Sequence, residues 1–523
     1  MNEKFYSQAW GRLTKLASDT ELIRSELLVD KNRFNKFSFS GPNIQIDLSK
    51  QIINEEIWAE LFNLAKEKKL SEKIRELFEG APVNQTENKP ALHPLLRNSW
   101  GKDETNLAVL NNLKQMESLV EEIHSGKWRG YTGKSIQNVV HIGIGGSHLG
   151  QEMVLHALEP QPSKLSVFFI TNIDHHHVRG VLRGLNPERT IFLIASKSFS
   201  TTETLINGNS VIDWFMERTN NQQAASQHFF AITGTDKVEK AKAYGIKESN
   251  IFTVPEAVGG RYSLWSTMGL VIAIAIGFHE FENLLKGAAS MDDHFQSAPF
   301  AANLPVLLAL TGIWNINFLN IGTHLILPYS ERLSLLPKFL QQLEMESNGK
   351  SVDAKGHTMD IDTAPFLWGG TGTDSQHSFH QLLFQGTRSF SSDLILVKPD
   401  QHPSKNNRDH WLLANALAQS RAMLIGNDDN TTHKRISGGH GSSIILLDKH
   451  DAFSLGSLLS LYEHKVFCQS VIWNINPFDQ FGVEFGKQLA PSIYQQLFED
   501  STLDWDPSTN GLIEQFRRGK QND

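Results

Sequence analysis

The stretch NVVHIGIGGS, residues 138–147, decides the fold class of this chain. Its first seven residues form an apolar run typical of a buried strand, and the Gly-Gly-Ser that follows opens a helix that we expect to end before Pro160. Helical patterns at residues 201–216 and 236–243 alternate with more strand-like runs: KLSVFFIT (164–171), TIFLIA (190–195), HFFAIT (228–233) and IFTV (251–254). This alternation predicts a parallel sheet with helices on both faces.

The same alternation returns in the second half of the chain. Three strand-like runs each precede a helix: HLILP (324–328) before a helix ending near 346, LILV (394–397) before 409–424, and SIILL (443–447) before 452–473. We therefore predict two α/β domains at residues 116–285 and 286–490. A helical N-terminal region at 1–115 and a C-terminal helical segment at 491–523 complete the chain.

The two ends of the chain carry weaker signals. Apolar residues at i, i+4 and i+7 predict a helix over residues 55–78, and the polar, proline-containing residues 80–100 predict an extended loop. Residues 508–510, Ser-Thr-Asn, predict the start of a C-terminal helix.

Composition limits the class of protein. The 523 residues suffice for two or three domains, and the net charge of -8 argues against nonspecific binding of nucleic acid. The single cysteine, Cys468, excludes an intrachain disulfide and a multi-cysteine zinc site, and it lies in an apolar helix, as a core residue would. The start has no apolar signal core, and the longest apolar run, residues 268–278, is too short to cross a bilayer. These features predict a cytoplasmic enzyme.

The first candidate binding element is Gly143-Ile-Gly-Gly-Ser-His-Leu-Gly150. Glycines after a strand let backbone amides approach an anion at a helix N-terminus. The dinucleotide fingerprint requires glycine where this chain has His148, and the lysine of a P-loop is absent. A plain strand-to-helix turn is the alternative, but Ser147 beside Gly145 and Gly146 suits a small polar ligand.

The second candidate element is SKSFSTTET, residues 196–204, which carries six hydroxyls and one lysine directly after a predicted strand. Ser200 and Glu203 have the spacing of a capping box. One cap needs one hydroxyl, so the surplus favours a phosphate site formed by hydroxyls and free helix amides. Such a site belongs beyond the carboxyl ends of the strands.

Two further motifs supply a cation and a carboxylate. In VGGRYSLWS (258–266), two glycines precede Arg261, a fixed cation suited to a developing oxyanion, although a surface arginine is the commoner case. In QLEMESNGK (342–350), Gln342 and Glu346 lie at i and i+4, and Asn348-Gly349 ends the helix. The apolar stripe of the same helix faces the core: Leu336, Phe339, Leu340 and Leu343. Glu346 is then either a general base in a cleft or a solvated charge.

The last candidates are a loop histidine and a helix lysine. The glycine-rich loop at 369–378 carries Gln376 and His377, and an imidazole there suits acid–base work, although loop histidines are more often merely exposed. Lys487 ends the stretch DQFGVEFGK (479–487) and can reach a substrate oxygen, with an exposed lysine as the alternative. The run Asp174-His-His-His177 lacks metal-ligand spacing, so no metal site is predicted.

Five of these motifs, in this order, resemble the glucose-6-phosphate isomerase family: SKSFSTTET, VGGRYSLWS, QLEMESNGK, GTDSQH and WNINPFDQFGVEFGK. The resemblance runs from about His93 to the C-terminal helices, and five long motifs in order are specific. It implies two sugar-isomerase α/β domains, flavodoxin-like in topology, in a homodimer. It also implies interconversion of glucose 6-phosphate and fructose 6-phosphate without a cofactor.

The resemblance assigns a role to each candidate residue. Glu346 is expected to move a proton between C2 and C1, with Arg261 steadying the enediolate. His377, from the neighbouring subunit, is expected to help open the sugar ring, with Lys487 close by. The remaining positions match phosphate and substrate contacts of the family: Ser147, Ser196, Lys197, Ser198 and Thr201 for phosphate, and Gly146, Gln342 and Gln480 for the sugar.

The chain departs from the family pattern at positions that leave the expected base untouched. Asp374-Ser375 replaces the usual Asn-Gly, Ser198 and Ser200 stand where threonine is frequent, and His148 stands where aspartate is frequent. The alternatives are a dual glucose/mannose phosphate isomerase, a sugar-phosphate sensor without chemistry, and a dinucleotide-binding dehydrogenase. The long motifs, the presence of all three reactive groups and His148 respectively disfavour them.

Overall fold

The structure, a computed structural model, describes residues 7–97, 104–158, 165–399, 405–499 and 502–519. Its strands are β1 (Ser38–Gly41), β2 (Ile44–Asp47), β3 (Asn138–Ile142), β4 (Ser166–Ile170), β5 (Thr190–Ala195), β6 (Phe229–Gly234), β7 (Ile251–Val254), β8 (Thr323–Pro328), β9 (Phe366–Gly369), β10 (Ser391–Val397) and β11 (Ser442–Leu447). The chain divides into two compact units, residues 1–477 and 478–523, and the first unit contains all of these strands.

The α-helices of the first unit are α1 (Gln8–Leu16), α2 (Thr20–Val29), α3 (Arg33–Phe37), α4 (Glu55–Glu67), α5 (Leu70–Phe78), α6 (Glu104–His124), α7 (Leu149–Ala157), α8 (His175–Leu182), α9 (Thr202–Thr219), α10 (Val238–Ala243), α11 (Leu270–Ile276), α12 (Phe278–Ser297), α13 (Leu304–Ile313), α14 (Leu336–Leu340), α15 (His380–Gln385), α16 (Arg408–Ile425) and α17 (Ala452–Trp473). The second unit contains α18 (Glu484–Gln496) and α19 (Pro507–Gly519). None of the helices in the described ranges is long and apolar enough to cross a membrane.

The first sheet is parallel throughout, in the order β4-β3-β5-β6-β7. Numbered by their place in the chain, these strands follow the flavodoxin order 2-1-3-4-5. The strand order reverses between β3 and β5, and ligands of such sheets bind beyond the carboxyl ends of the strands at this switch point. The turns at 143–147 and 196–201 leave those two strand ends.

The second sheet has six strands in the order β1-β2-β11-β10-β8-β9. Four of them, β8 to β11, are parallel and repeat the order of the first sheet, whereas β1 and β2 form an antiparallel hairpin that pairs with β11. The predicted α/β fold with parallel sheets is therefore confirmed, and the hairpin at its edge was missed. Its two strands have four residues each, too few to give a clear period in the sequence.

The core of the first unit lies on the helix-covered faces of the two sheets. One cluster joins β3, β5 and β6 to α8, α9 and α10, and another joins β8 and β10 to α15 and α16. Almost every residue of α17 is buried, including Cys468, because this apolar helix packs between α12 and α13. The burial explains why α17 shows no one-sided apolar stripe.

Three predicted elements need correction. The helix predicted at 55–78 is two helices, α4 and α5, because Lys69 takes a left-handed φ of 56° between them. The C-terminal helix begins at Pro507 and not at 508–510, since Asp506 accepts hydrogen bonds from the backbone nitrogens of Ser508 and Thr509. Residues 98–100 of the predicted loop, residue 160 and residue 164 lie outside the described residues.

Candidate active site

The glycine-rich turn after β3 lies against the loop that carries Arg261. Gly145 begins a 3-10 turn with a left-handed φ of 60°. A methyl group placed on Gly146 would lie 2.3 Å from the carbonyl carbon of Gly260 and 2.6 Å from the backbone nitrogen of Arg261. Only glycine permits this approach at position 146. Gly146 therefore allows the turn after β3 to lie against the loop that carries Arg261.

Ser147 and His148 end this turn. Ser147 is half-buried, and its carbonyl oxygen accepts a hydrogen bond from Nε2 of His141 at 2.6 Å. His148 is buried, and burial lowers the pKa of its imidazole to about 3, so the ring is neutral near pH 7. The turn therefore offers the Ser147 hydroxyl and backbone groups without a charge of its own.

The hydroxyl-rich turn after β5 leaves the start of α9 without a side-chain cap. Oγ of Ser196 and Oγ of Ser198 lie 3.2 Å and 3.4 Å from Oγ1 of Thr201, and Thr201 is the N-cap residue. The predicted capping box of Ser200 and Glu203 is wrong, because the helix begins one residue later and its N-cap hydroxyl bonds to other hydroxyls. The first amides of α9 therefore remain available to an anion.

Lys197 ties the same turn to the chain that leads to Arg261. Its Nζ donates a hydrogen bond to the carbonyl oxygen of Glu256 at 2.6 Å. Burial of the half-buried side chain lowers the pKa of Lys197 below its ordinary value, while the carboxylate of Glu87 acts in the opposite direction. A lysine in this position gains from a nearby phosphate that would stabilise its charged form.

Arg261 is the buried cation of the site. It stands at the start of a 3-10 helix, Gly260–Trp265, and only 4% of it is exposed. Its Nε donates to Oγ of Ser347 at 2.6 Å, and its Nη2 donates to the carbonyl oxygen of Pro477 at 2.5 Å. Its Nη1 lies 3.3 Å from Oε2 of Glu346. The surface alternative for this arginine is therefore excluded.

The carboxylate Glu346 stands on a π-helical segment, Gln341–Glu346, that continues α14. A π turn holds one residue more than an α turn, so the predicted α-helical alignment of Gln342 with Glu346 is wrong in detail. The helix ends at Asn348, and the predicted apolar stripe is buried as expected: Leu336, Phe339, Leu340 and Leu343. Short π segments are frequent at functional sites.

Gln342 and Glu346 face the elements of the first sheet. The side-chain nitrogen of Gln342 lies 3.3 Å from a methyl group placed on Gly145, so it stands beside the turn after β3. The carboxylate of Glu346 is about a quarter exposed, at 23%, and pairs with the guanidinium of Arg261. Glu346 is thus neither a solvated charge nor fully buried, and a small molecule can reach it.

Buried contacts fix the helix that carries Glu346. Both carboxylate oxygens of Glu344 accept hydrogen bonds from Nζ of Lys465, at 2.8 Å and 3.0 Å, in a fully buried ion pair. The side-chain nitrogen of Asn348 donates to the carbonyl oxygen of Val466 at 3.1 Å. These bonds join the helix to α17, and Lys350 caps it by donating to the carbonyl oxygens of Glu346 and Ser347.

His377 is exposed in a 3-10 turn, Ser375–His377, that follows β9. The neighbouring Gln376 donates to Oη of Tyr329 at 3.3 Å, which holds the turn against the end of β8. Among the described residues, His377 and Glu346 form neither a hydrogen bond nor an ion pair with each other. The single chain therefore presents this imidazole at its surface.

Gln480 and Lys487 belong to the second compact unit, residues 478–523, and not to the unit that holds Glu346. Within that unit, Lys487 is exposed on α18, and its Nζ lies 2.9 Å from Oε1 of Glu484. Gln480 precedes a 3-10 turn, Phe481–Val483.

No group of three or more histidine, cysteine, aspartate or glutamate side chains in the described parts of the chain is arranged to hold a metal ion. Of the run at 174–177, Asp174 caps α8 by accepting from the nitrogen of His176, and Nε2 of His177 accepts from the nitrogen of Thr171 at 3.2 Å. The ring of His177 and the backbone nitrogen of His176 thus take part in local hydrogen bonds.

The sequence prediction missed the residues that hold the site together. Glu344 was overlooked although it lies at i+4 from Leu340, on the buried stripe, and a carboxylate there needs a cationic partner. That partner, Lys465, lies in the apolar run that became α17. Ser347 and Tyr262 stand inside quoted motifs, but no spacing rule shows that they contact each other.

The fold and the site define the class of protein. It is an α/β enzyme built on two sheets whose parallel strands follow a similar order, and most of its candidate site residues lie on segments that follow the strands.

Comparisons with known proteins identify the family within this class. A curated glucose-6-phosphate isomerase from Chlorobium phaeobacteroides is 43% identical over 540 residues, covering 98% of this chain and 96% of its own. One from Marinomonas sp. is 40% identical, with 98% coverage of both chains.

A solved structure also matches. The crystal structure of a glucose-6-phosphate isomerase from Chlamydia trachomatis D/UW-3/Cx superposes with a TM-score of 0.87 at 29% identity, covering 98% of this chain and 99% of that chain. The phosphoglucose isomerase family profile matches residues 47–513. The chain belongs to the phosphoglucose isomerase family. The family resemblance seen in the sequence is thereby confirmed, and with it the prediction of an isomerase enzyme.

Proposed function

We propose that this chain interconverts glucose 6-phosphate and fructose 6-phosphate in glycolysis and gluconeogenesis, with Glu346 as the group that moves the proton. Family membership supports the reaction and the substrate pair. The observation that carries the role of Glu346 is its partly exposed carboxylate 3.3 Å from the buried guanidinium of Arg261.

The chemistry requires one base that reaches two adjacent carbons. The carboxylate of Glu346 takes the proton from C2 of the open-chain aldose, and the electron pair left behind forms the C1–C2 double bond of a cis-enediolate. The proton of the C2 hydroxyl moves to the C1 oxygen, the C2 carbonyl forms, and the same carboxylate, now protonated, returns its proton to C1, which leaves the ketose. Negative charge develops on the enediolate oxygens, and Arg261 is a fixed cation beside them.

The phosphate group is held at the turns after β3 and β5. Ser196, Lys197, Ser198 and Thr201 surround the uncapped start of α9, and Ser147 adds a hydroxyl from the neighbouring turn. The position at the switch point of the sheet supports this assignment. Binding energy from the phosphate orients the reacting carbons. Gly146, Gln342 and Gln480 are the proposed contacts to the sugar.

The remaining steps involve a second copy of the chain. Ring opening is assigned to the partner subunit's His377, with Lys487 close to it, and the exposure of His377 in the single chain supports a contribution across an interface. We propose a homodimer in the cytoplasm that works without a cofactor or metal. The proposed domains are 1–115, 116–285, 286–490 and 491–523. The first sheet lies in 116–285 and strands β8 to β11 of the second sheet lie in 286–490, whereas the hairpin of β1 and β2 is contributed by 1–115.

A coupled assay on the wild-type protein tests the reaction. Fructose 6-phosphate is supplied, and the glucose 6-phosphate formed is measured through an added dehydrogenase. We expect turnover on fructose 6-phosphate and at least about a hundredfold less on mannose 6-phosphate. Comparable rates on both substrates would indicate a dual-specificity isomerase, and no turnover on either would overturn the proposed reaction.

Mixing two inactive variants tests whether the active site is shared. Glu346→Gln and His377→Ala chains are co-expressed with different tags, and the mixed dimer is isolated. If each site combines Glu346 of one chain with the partner subunit's His377, the mixed dimer has one intact site and about half of wild-type activity. If both residues act within one chain, both sites are damaged and the mixed dimer stays inactive.

A further inference from the structure

Three buried side chains meet behind the pair of Arg261 and Glu346. Ser347 is fully buried, and its Oγ accepts a hydrogen bond from Nε of Arg261 at 2.6 Å. The same Oγ lies 3.0 Å from Oη of Tyr262, which is 2% exposed. The ring of His93 packs on that of Tyr262 with 4.6 Å between their centroids. The Ser347 hydroxyl is therefore held from two sides.

The direction of the guanidinium follows from these contacts. A guanidinium is planar, so fixing Nε and one terminal nitrogen fixes the direction of the other. Ser347 holds Nε, and the carbonyl oxygen of Pro477 holds Nη2 at 2.5 Å. Nη1 is then directed at Oε2 of Glu346, 3.3 Å away.

Ser347 is also the residue directly after Glu346 in the chain. The helix that carries Glu346 thus also holds Arg261, through the side chain of Ser347. Contacts of Glu344, Asn348 and Lys350 fix that helix. The carboxylate of Glu346 and one of the bonds that orient the guanidinium of Arg261 therefore come from the same helix.

We propose that Ser347, braced by Tyr262, is a positioning residue that aims the guanidinium of Arg261 at the enediolate. This inference rests on the proposed isomerase function and extends it to two residues that do not touch the substrate. Loss of the Ser347 hydroxyl removes the bond to Nε, one of the contacts that orient the guanidinium of Arg261, and loosens its orientation. The charge stabilisation in the transition state then falls while ground-state binding through the phosphate remains.

The first test compares Ser347→Ala with the wild type in the coupled assay. We expect kcat to fall about tenfold to about a hundredfold, with KM for fructose 6-phosphate changed less than about threefold. Ser457→Ala is the matched control. Ser457, on α17, is equally buried, and its hydroxyl donates a hydrogen bond to the carbonyl oxygen of Gly287 on α12 at 2.8 Å and not to a site residue. Its kcat should remain within about twofold of the wild type.

A double-mutant cycle separates positioning from a merely structural role. Lysine at position 261 keeps the charge but has no Nε–H for Ser347 to hold. In an Arg261→Lys background, Ser347→Ala should therefore change kcat less than about twofold, far below its effect in the wild type. Equal effects in both backgrounds would mean that Ser347 acts on the helix and not on Arg261.

Tyr262→Phe keeps the ring and removes only its hydroxyl, so it tests the brace if Ser347→Ala fails to fold. We expect a smaller fall in kcat, about threefold to about tenfold, and again an unchanged KM. If the wild-type chain turns over fructose 6-phosphate and neither substitution lowers kcat, the positioning role of Ser347 is overturned and the proposed function stands. An inactive wild-type chain overturns the proposed function itself.

Discussion

The turn at residues 196–201 and the helix end at 341–348 are made in different ways. The turn offers hydroxyls that range from buried, at Ser196, to exposed, at Ser198, and an uncapped helix start. Its side chains bond chiefly to each other and to one backbone carbonyl. The helix end is fixed by buried contacts, among them the ion pair of Glu344 with Lys465 and the bond from Arg261 to Ser347.

The difference matches two tasks. A phosphate anchor needs many moderate donors that surround an anion, and small displacements cost it little. A base that must reach two carbons needs a fixed position, because misplacement by about 1 Å can cost a hundredfold in rate. Substitutions in the turn should therefore act on KM, and substitutions at the helix end should act on kcat.

The largest effect is expected at the base. Glu346→Gln keeps the size of the side chain and removes its basicity, so kcat should fall by about three to five powers of ten in the coupled assay. Binding of a substrate analogue should change less than about tenfold. Glu331→Gln, at an exposed carboxylate after β8, is the control and should retain full activity. Near-normal turnover by Glu346→Gln would show that the base does not lie on this helix.

The next largest effect concerns the cation. Arg261→Ala should lower kcat about a hundredfold to about a thousandfold, because the enediolate loses its fixed positive charge. KM should change by a smaller factor, measured in the same assay. Arg75→Ala, at an exposed arginine of α5, controls for loss of a charge elsewhere. A change confined to KM would mean that Arg261 contributes to substrate binding and not to catalysis. It would contradict the assignment of KM effects to the turn and kcat effects to the helix end.

A smaller effect is expected in the turn. Lys197→Ala should raise KM for fructose 6-phosphate about tenfold or more and leave kcat within about threefold. Lys240→Ala, at an exposed lysine of α10, should change neither constant. Competition by inorganic phosphate measures the anchor separately, and its inhibition constant should rise in parallel with KM. Equal loss of affinity for non-phosphorylated analogues would contradict a phosphate site at Lys197.

The smallest effect is a pH dependence of binding. Burial lowers the pKa of Lys197, so in the free protein its positive charge is lost at a lower pH than in an ordinary lysine. KM for fructose 6-phosphate should therefore rise as pH increases on the alkaline side of neutrality, over a range where the substrate phosphate stays doubly charged. The Lys197→Gln variant should show a higher KM without this rise, and an identical rise in the variant would assign it to another group.

The sequence predicted the parallel strands better than the antiparallel hairpin at the edge of the second sheet. Runs such as 190–195 and 251–254 match β5 and β7 residue for residue, since parallel strands that are buried over all or most of their length are nearly continuous apolar runs. The hairpin of β1 and β2 was missed because its strands are short and half-exposed, and because only pairing with β11 makes them a sheet edge. Tertiary contacts decided there, and they leave no local period.

The candidate site shows the same limit. Glycines, hydroxyls and the end of the Glu346 helix were visible in the sequence because turns and helix ends have local chemistry. The π turn, the contact of Ser347 with Tyr262 and the pairing of Glu344 with Lys465 join positions that are up to 121 residues apart. Such contacts follow from packing and could not be derived from spacing.

The most direct test of the central claim follows the hydrogen at C2 of glucose 6-phosphate in deuterated water by NMR. If a carboxylate carries the proton, part of it exchanges with solvent, so the wild-type protein should form fructose 6-phosphate with deuterium at C1. The Glu346→Gln variant should give neither product nor exchange on the same time scale. Product formed by the variant at a rate within about tenfold of the wild type would contradict Glu346 as the proton carrier.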